Sequence, residues 1–175
     1  MSPEPPPAAG QPRDSERTRK SPLLRPTADG PHPLRLLIVD DEPSICQALA
    51  LLFGWHGLEV VTTLTAADAM RAIAESTFDV LLIDLRLRDA RGDAVFRAAV
   101  QRDPTFRDRT LFMTGDITME AERIISATNC PFLRKPFDIT LAVQAIAALF
   151  GVAYPQTDPP ASSPGSSLGE GGLVR

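Results

Sequence analysis

Five apolar runs alternate along the chain with segments of helical pattern, and this alternation constrains the fold most. The runs cover residues 34–40, 58–64, 78–85, 109–115 and a short stretch within 131–136. The first and third are apolar almost throughout, which is typical of parallel strands that are buried on both faces. Helical segments follow at about 43–54, 65–76, 93–102, 117–128 and 138–151. The pattern predicts an α/β fold, because parallel strands need crossover helices that cover both faces of the sheet.

The two ends of the chain differ in composition from this central part. Many of the 17 prolines lie in residues 1–33 and 153–175, together with Ser, Gly and Arg. Segments with so little to bury cannot offset the entropy of ordering. We therefore predict a disordered Pro-rich arm at 1–33, one folded domain at 34–152 and a disordered tail at 153–175.

Composition also argues against several classes of protein. A formal net charge of -4 disfavours direct nucleic-acid binding, which normally needs a basic surface. We expect no membrane span, since no apolar run approaches the roughly 18–20 residues required, and the N-terminus lacks the apolar core of a secretory signal. Cys46 and Cys130 lack metal-site spacing, so we expect two buried, reduced thiols in a cytoplasmic protein.

Polar residues stand where four of the predicted strands end. They are Asp40 and Asp41, Asp84, Thr114 and Lys135. Singly, each has a simpler explanation: a helix cap, a turn residue, a strand end or a solvated charge. Together they would meet at one edge of the sheet, where open parallel sheets bind ligands.

Such a set suits phosphoryl chemistry. Clustered carboxylates are hard oxygen ligands for Mg²⁺, and an ammonium and a hydroxyl can both donate to phosphate oxygens. One carboxylate could attack phosphorus and form an acyl phosphate.

Four segments in order, LLIVDDEP, DVLLIDLRL, FMTGD and FLRKPFD, resemble the response-regulator receiver domains of two-component signalling. The resemblance covers about Arg35 to Gly151. It implies a flavodoxin-like (βα)5 fold, similar to that of CheY, with strand order 2-1-3-4-5.

The resemblance also implies roles for individual residues. Asp84 would be the phosphoacceptor, assisted by Lys135 and Thr114. Mg²⁺ would be held by the carboxylates of Asp40, Asp41 and Asp84 and by the backbone carbonyl of Arg86. Thr114 and Phe132 would be the switch residues, and the bond before Pro136 would be cis.

The partners follow from the same resemblance. A sensor histidine kinase or a histidine phosphotransfer protein would donate the phosphoryl group. A downstream protein would read the fourth helix, fifth strand and fifth helix, about residues 117–150. With no output domain visible, we expect a single-domain receiver that catalyses only its own phosphorylation and dephosphorylation.

The loop after Asp84 departs from the family pattern at three positions. Arg88 stands where a proline is usual, Ala90 where a larger apolar residue is common, and Arg91 where an acid is common. These differences affect loop geometry and partner preference but remove no chemical group.

Arg86 and Asp116 lie two positions after Asp84 and Thr114. We hypothesise that they pair across the mouth of the site and slow hydrolysis of the acyl phosphate. Two solvated side chains are the alternative.

Three other functions remain as alternatives. A phosphate-independent interaction module on this fold would be expected to lose the acids, Thr114 or Lys135, and the chain keeps them. An FMN binder would need a Ser/Thr/Gly-rich loop after the first strand, where this chain has DDEPSI. An aspartyl phosphatase would usually place its nucleophile on the first strand, with a second Asp two residues later, where residue 42 is Glu.

Overall fold

A computed structural model describes residues 24–27, 30–115 and 118–150 of the 175-residue chain. The strands are β1 Leu24–Thr27, β2 Gly30–Pro33, β3 Arg35–Val39, β4 Glu59–Thr63, β5 Val80–Asp84, β6 Thr110–Thr114 and β7 Phe132–Arg134. The helices are α1 Pro43–Trp55, α2 Ala66–Glu75, α3 Gly92–Arg102, α4 Met119–Thr128 and α5 Ile139–Leu149, with a 3-10 turn at Pro104–Arg107.

Five of the strands form one parallel sheet in the order β4-β3-β5-β6-β7. In chain order this is 2-1-3-4-5, so the predicted flavodoxin-like architecture is confirmed. The strand order reverses between the adjacent strands β3 and β5, because β4 lies on one side of β3 and the later strands lie on the other. Such a switch point places a crevice at the carboxyl ends of the central strands.

Helices cover both faces of the sheet, and alternate side chains of each central strand enter different cores. On β3, Leu36 and Ile38 pack with α1 and α5. Leu37 and Val39 pack on the other face with α2, α3 and α4. This two-faced burial explains why the central strands read as continuous apolar runs.

Local signals fix where the helices begin and end. Pro43 opens α1, and the hydroxyl oxygens of Thr65 and Thr118 accept N–H bonds at the starts of α2 and α4. Asn129, with φ of 54°, ends α4 in the left-handed region. The observed helices agree with the predicted ones to within about two residues, as caps allow.

An antiparallel hairpin of β1 and β2 precedes the domain and forms a sheet of its own. It lies within residues 1–33, for which the sequence predicts disorder, and there the structure differs from the prediction. A ladder of backbone hydrogen bonds needs no apolar side chains, so composition alone does not reveal it. The Asp-Gly dipeptide at residues 29–30, a common turn sequence, was the available signal.

The rest of the predicted arm, residues 1–23 and 28–29, and the predicted tail lie outside the described residues. Of the helices in the described part, none is both long and apolar enough to cross a membrane.

Candidate phosphoryl-transfer site

Four strands deliver the predicted polar residues to one edge of the sheet. Asp40 and Asp41 directly follow β3, Asp84 ends β5, Thr114 ends β6, and Lys135 follows β7. One carboxylate oxygen from each of the three aspartates lies within 4.8 Å of the other two. The structure therefore brings together residues that are up to 95 positions apart in the chain.

Lys135 joins two of these carboxylates. Its Nζ lies 2.5 Å from Asp40 Oδ2 and also donates to Asp84 Oδ2. The side chain of Asp40 is fully buried, and those of Lys135 and Asp84 are only 14% and 9% exposed. An ion pair with so little solvent is screened weakly, so it orients its members firmly.

The backbone positions the same three residues. The N–H of Lys135 donates to the carbonyl of Thr114 at 2.7 Å, and the Lys135–Pro136 peptide bond is cis. Asp40 Oδ1 accepts from the N–H of Glu42 at 3.0 Å, and Asp84 Oδ1 accepts from that of Arg86 at 2.9 Å. In each of these two carboxylates, one oxygen thus accepts a backbone N–H and the other accepts from the Lys135 ammonium.

Burial and neighbouring charge shift the pKa values within this cluster. Burial raises the pKa of Asp84, and the Asp40 charge adds to the rise, while the bonds from Lys135 and Arg86 oppose it. Burial alone would lower the pKa of Lys135, but its bonds to Asp40 and Asp84 outweigh that effect and raise it. Lys135 is therefore firmly protonated at neutral pH.

Cys46 lies beneath the site rather than in it. Its Sγ is within 3.4 Å of the Asp40 carbonyl, and the thiol is 3% exposed. Burial, together with the Asp40 charge, raises the pKa of Cys46 to about 11. It is a protonated core thiol, as expected, and Cys130 is buried as well.

The two proposed switch residues differ in exposure. Thr114 is buried at the end of β6. Phe132, on the neighbouring edge strand β7, is 39% exposed. Because the Phe132 ring is partly exposed, it has room to change position.

The loop after Asp84 is tied to the site in a way that the sequence did not predict. Arg88 Nε lies 2.9 Å from Asp41 Oδ2. The missing proline at this position is thus replaced by an ion pair to a proposed metal ligand. Arg86 is exposed and forms an isolated bridge with Arg91, whereas Asp116 lies outside the described residues.

Gly92 is a second residue near the site whose importance the sequence did not predict. A Cβ at this position would lie 2.1 Å from the Asp84 carbonyl oxygen and 2.8 Å from Ile83 Cγ2. The first turn of α3 therefore packs directly on the backbone of Asp84, and only glycine permits this approach. A glycine at the predicted start of a helix was the only signal in the sequence.

The donor set fits a hard divalent cation. Three carboxylates converge at one edge, and their oxygens are the ligands that Mg²⁺ prefers. Asp41 is half-buried and turned toward the loop, so its oxygens can reach both the cluster and solvent. Among the described residues this cluster consists of carboxylates alone, without the thiolate or imidazole ligands that softer metals prefer.

A family model, the response regulator receiver domain, matches residues 36–147. The transcriptional regulatory protein GlrR of Escherichia coli is 29% identical over 126 residues, which is 72% of this chain and 28% of GlrR. The transcriptional regulatory protein ZraR of Salmonella typhimurium is 33% identical over 105 residues, 59% of this chain and 23% of ZraR. The chain thus spans about a quarter of these two curated relatives.

Solved structures show the same fold. A CheY-like response regulator receiver domain protein from Methanospirillum hungatei superposes with a TM-score of 0.63 at 23% identity, over 68% of this chain and 95% of that one. The non-phosphorylated HemR receiver domain from Leptospira biflexa gives a TM-score of 0.60 at 21% identity, over 71% and 99%. By fold and by family match, the chain belongs to the response regulator receiver domains of two-component signalling.

Proposed function

We propose that Asp84 accepts a phosphoryl group from a phosphohistidine of a sensor histidine kinase or a histidine phosphotransfer protein, with Mg²⁺, and that the chain signals through protein contacts. One observation supports this above all. A buried ammonium, that of Lys135, bridges the carboxylates of Asp40 and Asp84 beside that of Asp41. An acidic site that only capped a helix would not need this arrangement.

In the transfer step, a carboxylate oxygen of Asp84 attacks phosphorus and forms a new P–O bond. The P–N bond to the donor imidazole breaks, and its electron pair returns to the ring. The attacking group must be ionised, and the Lys135 ammonium and the Arg86 N–H both favour the charged form of Asp84. Lys135 then remains within reach of an oxygen on the transferred group.

Asp40, Asp41, Asp84 and the carbonyl of Arg86 would hold Mg²⁺. When bound, the ion supplies positive charge that offsets the negative charge of the phosphoryl oxygens. Asp41 must share its carboxylate between the metal and Arg88, since the two cations compete for the same group.

The signal would then travel through Thr114 and Phe132. A phosphoryl oxygen on Asp84 gives the buried Thr114 hydroxyl a new acceptor, which pulls on the end of β6. The half-exposed Phe132 ring could then turn inward and change the surface of α4, β7 and α5. Ligand-biased populations of two such arrangements suffice for this response.

The first test is a phosphate-affinity gel after incubation with acetyl phosphate, with Mg²⁺ or with EDTA. We expect a shifted band that requires Mg²⁺ and is absent in Asp84→Asn. Asp79→Asn is the matched control, because Asp79 is also buried but lies at the opposite end of β5, where it binds the N–H of Arg35 at 2.8 Å. This control should still be phosphorylated.

Two results would contradict the proposal. One is an Asp84→Asn variant that is labelled like the wild type. The other is a folded wild type that neither shifts on the gel nor responds to beryllofluoride with Mg²⁺ in its NMR spectrum. The second result would favour a phosphate-independent interaction module.

We also propose that Arg86 and Asp116 slow hydrolysis of the phosphoryl group. Arg86 is exposed two residues after Asp84, and we expect its side chain to flank the path of an entering water. Replacing it by alanine should speed dephosphorylation, as followed by the decay of the shifted band. An unchanged rate in Arg86→Ala would contradict this hypothesis.

A further inference from the structure

A groove of about 980 Å³ runs between α3 and α4, away from the carboxylate cluster. Its floor is apolar. Phe96 and Val100 line it from α3, and Ile124 and Ala127 from α4. Met119, at the start of α4, is 74% exposed at the rim. These residues leave an apolar strip that is open to solvent along both helices.

The walls of the groove are basic. Four arginines line it, against two acidic residues, in a chain whose formal net charge is -4. The two acids are engaged within the wall itself. Glu120 pairs with Arg91, and Asp93 pairs with Arg97.

The other two arginines have no such partner among the described residues. Arg107, from the 3-10 turn, and Arg123, from α4, are exposed, and neither makes an ion pair with any other residue of the described part of the chain. Both line the groove. An incoming carboxylate can therefore pair with them without breaking an ion pair within that part of the chain.

Asp93 is buried in the wall between two arginines. Its Oδ1 lies 3.4 Å from Arg91 Nε, and its other oxygen pairs with Arg97. The side chain is 8% exposed and lines the groove near the start of α3. Its charge is therefore offset within the wall, so Arg107 and Arg123 are the arginines that face an incoming carboxylate.

We propose that the α3–α4 groove binds an acidic amphipathic segment of a partner protein. Its apolar side chains would cover the floor formed by Phe96, Val100 and Ile124, and its carboxylates would pair with Arg107 and Arg123. Helical segments dock in this way when apolar residues at positions i, i+3, i+4 and i+7 face a groove. The basic walls favour a segment with negative charge, and the apolar floor favours one with apolar residues at helical spacing.

The probe for this proposal is a labelled peptide with Leu at helical spacing and Glu at the remaining positions, compared with the same peptide carrying Lys in place of Glu. Binding to the full unphosphorylated chain is measured by fluorescence anisotropy. Using the unphosphorylated chain makes the result independent of phosphorylation at Asp84. The contact surface is mapped from NMR shifts of the wild type.

The double variant Arg107→Glu with Arg123→Glu should weaken binding of the Glu peptide by at least about tenfold. Its matched control is Arg71→Glu with Arg102→Glu. This pair changes the net charge equally, and both arginines are exposed and lie outside the groove. The control should bind the peptide nearly as well as the wild type.

We expect the Glu peptide to shift residues of the α3–α4 groove and the Lys peptide to bind at least about tenfold more weakly. Equal loss of binding in the two double variants would overturn the proposal, since it would show general charge attraction. So would equal affinity for the Lys peptide, or shifts confined to another surface. Groove shifts that follow protein concentration without any peptide would overturn it in favour of a second copy of the chain.

Discussion

Replacing Gly92 by alanine should both destabilise the protein and displace its proposed phosphoacceptor. The added Cβ would lie 2.1 Å from the carbonyl oxygen of Asp84, whereas ordinary contacts begin at 3.4 Å. Neither atom belongs to a flexible side chain, so α3 and the end of β5 must move apart. Overpacking of this kind costs about 1–3 kcal/mol. A clash between backbone atoms belongs at the upper end of that range.

Gly54→Ala is the matched control. A Cβ there would meet nothing within 4 Å, on the exposed side of α1. The same chemical change should stabilise the helix by about 0.5–1 kcal/mol, because alanine loses less backbone entropy than glycine on folding. The two variants should therefore differ from each other by roughly 3 kcal/mol.

Urea unfolding followed by circular dichroism, in EDTA, measures this difference. Labelling by acetyl phosphate with Mg²⁺ then reports on the position of Asp84, and we expect it to slow in Gly92→Ala only. If Gly92→Ala were as stable as the wild type and were labelled at the same rate, the packing of α3 on Asp84 would not be as described.

Three further predictions concern the charges of the site. Arg88→Ala should raise the apparent affinity for Mg²⁺ by about 1.4- to fivefold, because an exposed ion pair to Asp41 is worth about 0.2–1 kcal/mol. Thermal unfolding against Mg²⁺ concentration measures this, and an unchanged or weaker affinity would contradict it. Without metal, Asp84→Asn should be more stable than the wild type at pH 7. The pKa of Asp84 is raised in the folded state, so its contribution to stability is full below the unfolded pKa of 3.8 and is lost as pH rises through the folded pKa. In urea unfolding, the stability difference between Asp84→Asn and the wild type should therefore shrink toward pH 3. A variant less stable than the wild type at pH 7 would refute this. The native Cys46 thiol should react with iodoacetamide at pH 8 at least about 100-fold more slowly than free cysteine, because its pKa is about 11. Rapid alkylation before unfolding would contradict its burial.

The fold could be predicted from the sequence because each central strand is apolar on both faces. Leu36 to Val39 alternate between two cores, so the run shows no polar interruption until Asp40. The helices were recognisable from caps such as Thr65. The hairpin before β3 was missed because backbone pairing leaves little trace in composition.

The members of the site were also predictable, since parallel strands end at one edge of a sheet. The contact made by the long side chain of Arg88 and the close packing that requires Gly92 were not predictable. Whether Arg88 reaches Asp41 depends on the path of a loop, and the need for Gly92 depends on how closely α3 approaches Asp84. Both are set by tertiary packing, which a local pattern does not contain.

The charge imbalance of the site is also what makes it visible in the sequence. Three carboxylates face one bridging ammonium and the exposed Arg88 guanidinium, and burial raises the pKa of Asp84 although phosphoryl transfer would need it ionised. A fold selected for stability alone would place apolar or small polar residues at these strand ends. A divalent cation or a phosphoryl group changes the charge balance of the cluster, so its binding and the stability of the surrounding sheet edge must be linked. The difference in unfolding free energy with and without Mg²⁺ therefore measures cation binding at the site and requires no partner protein.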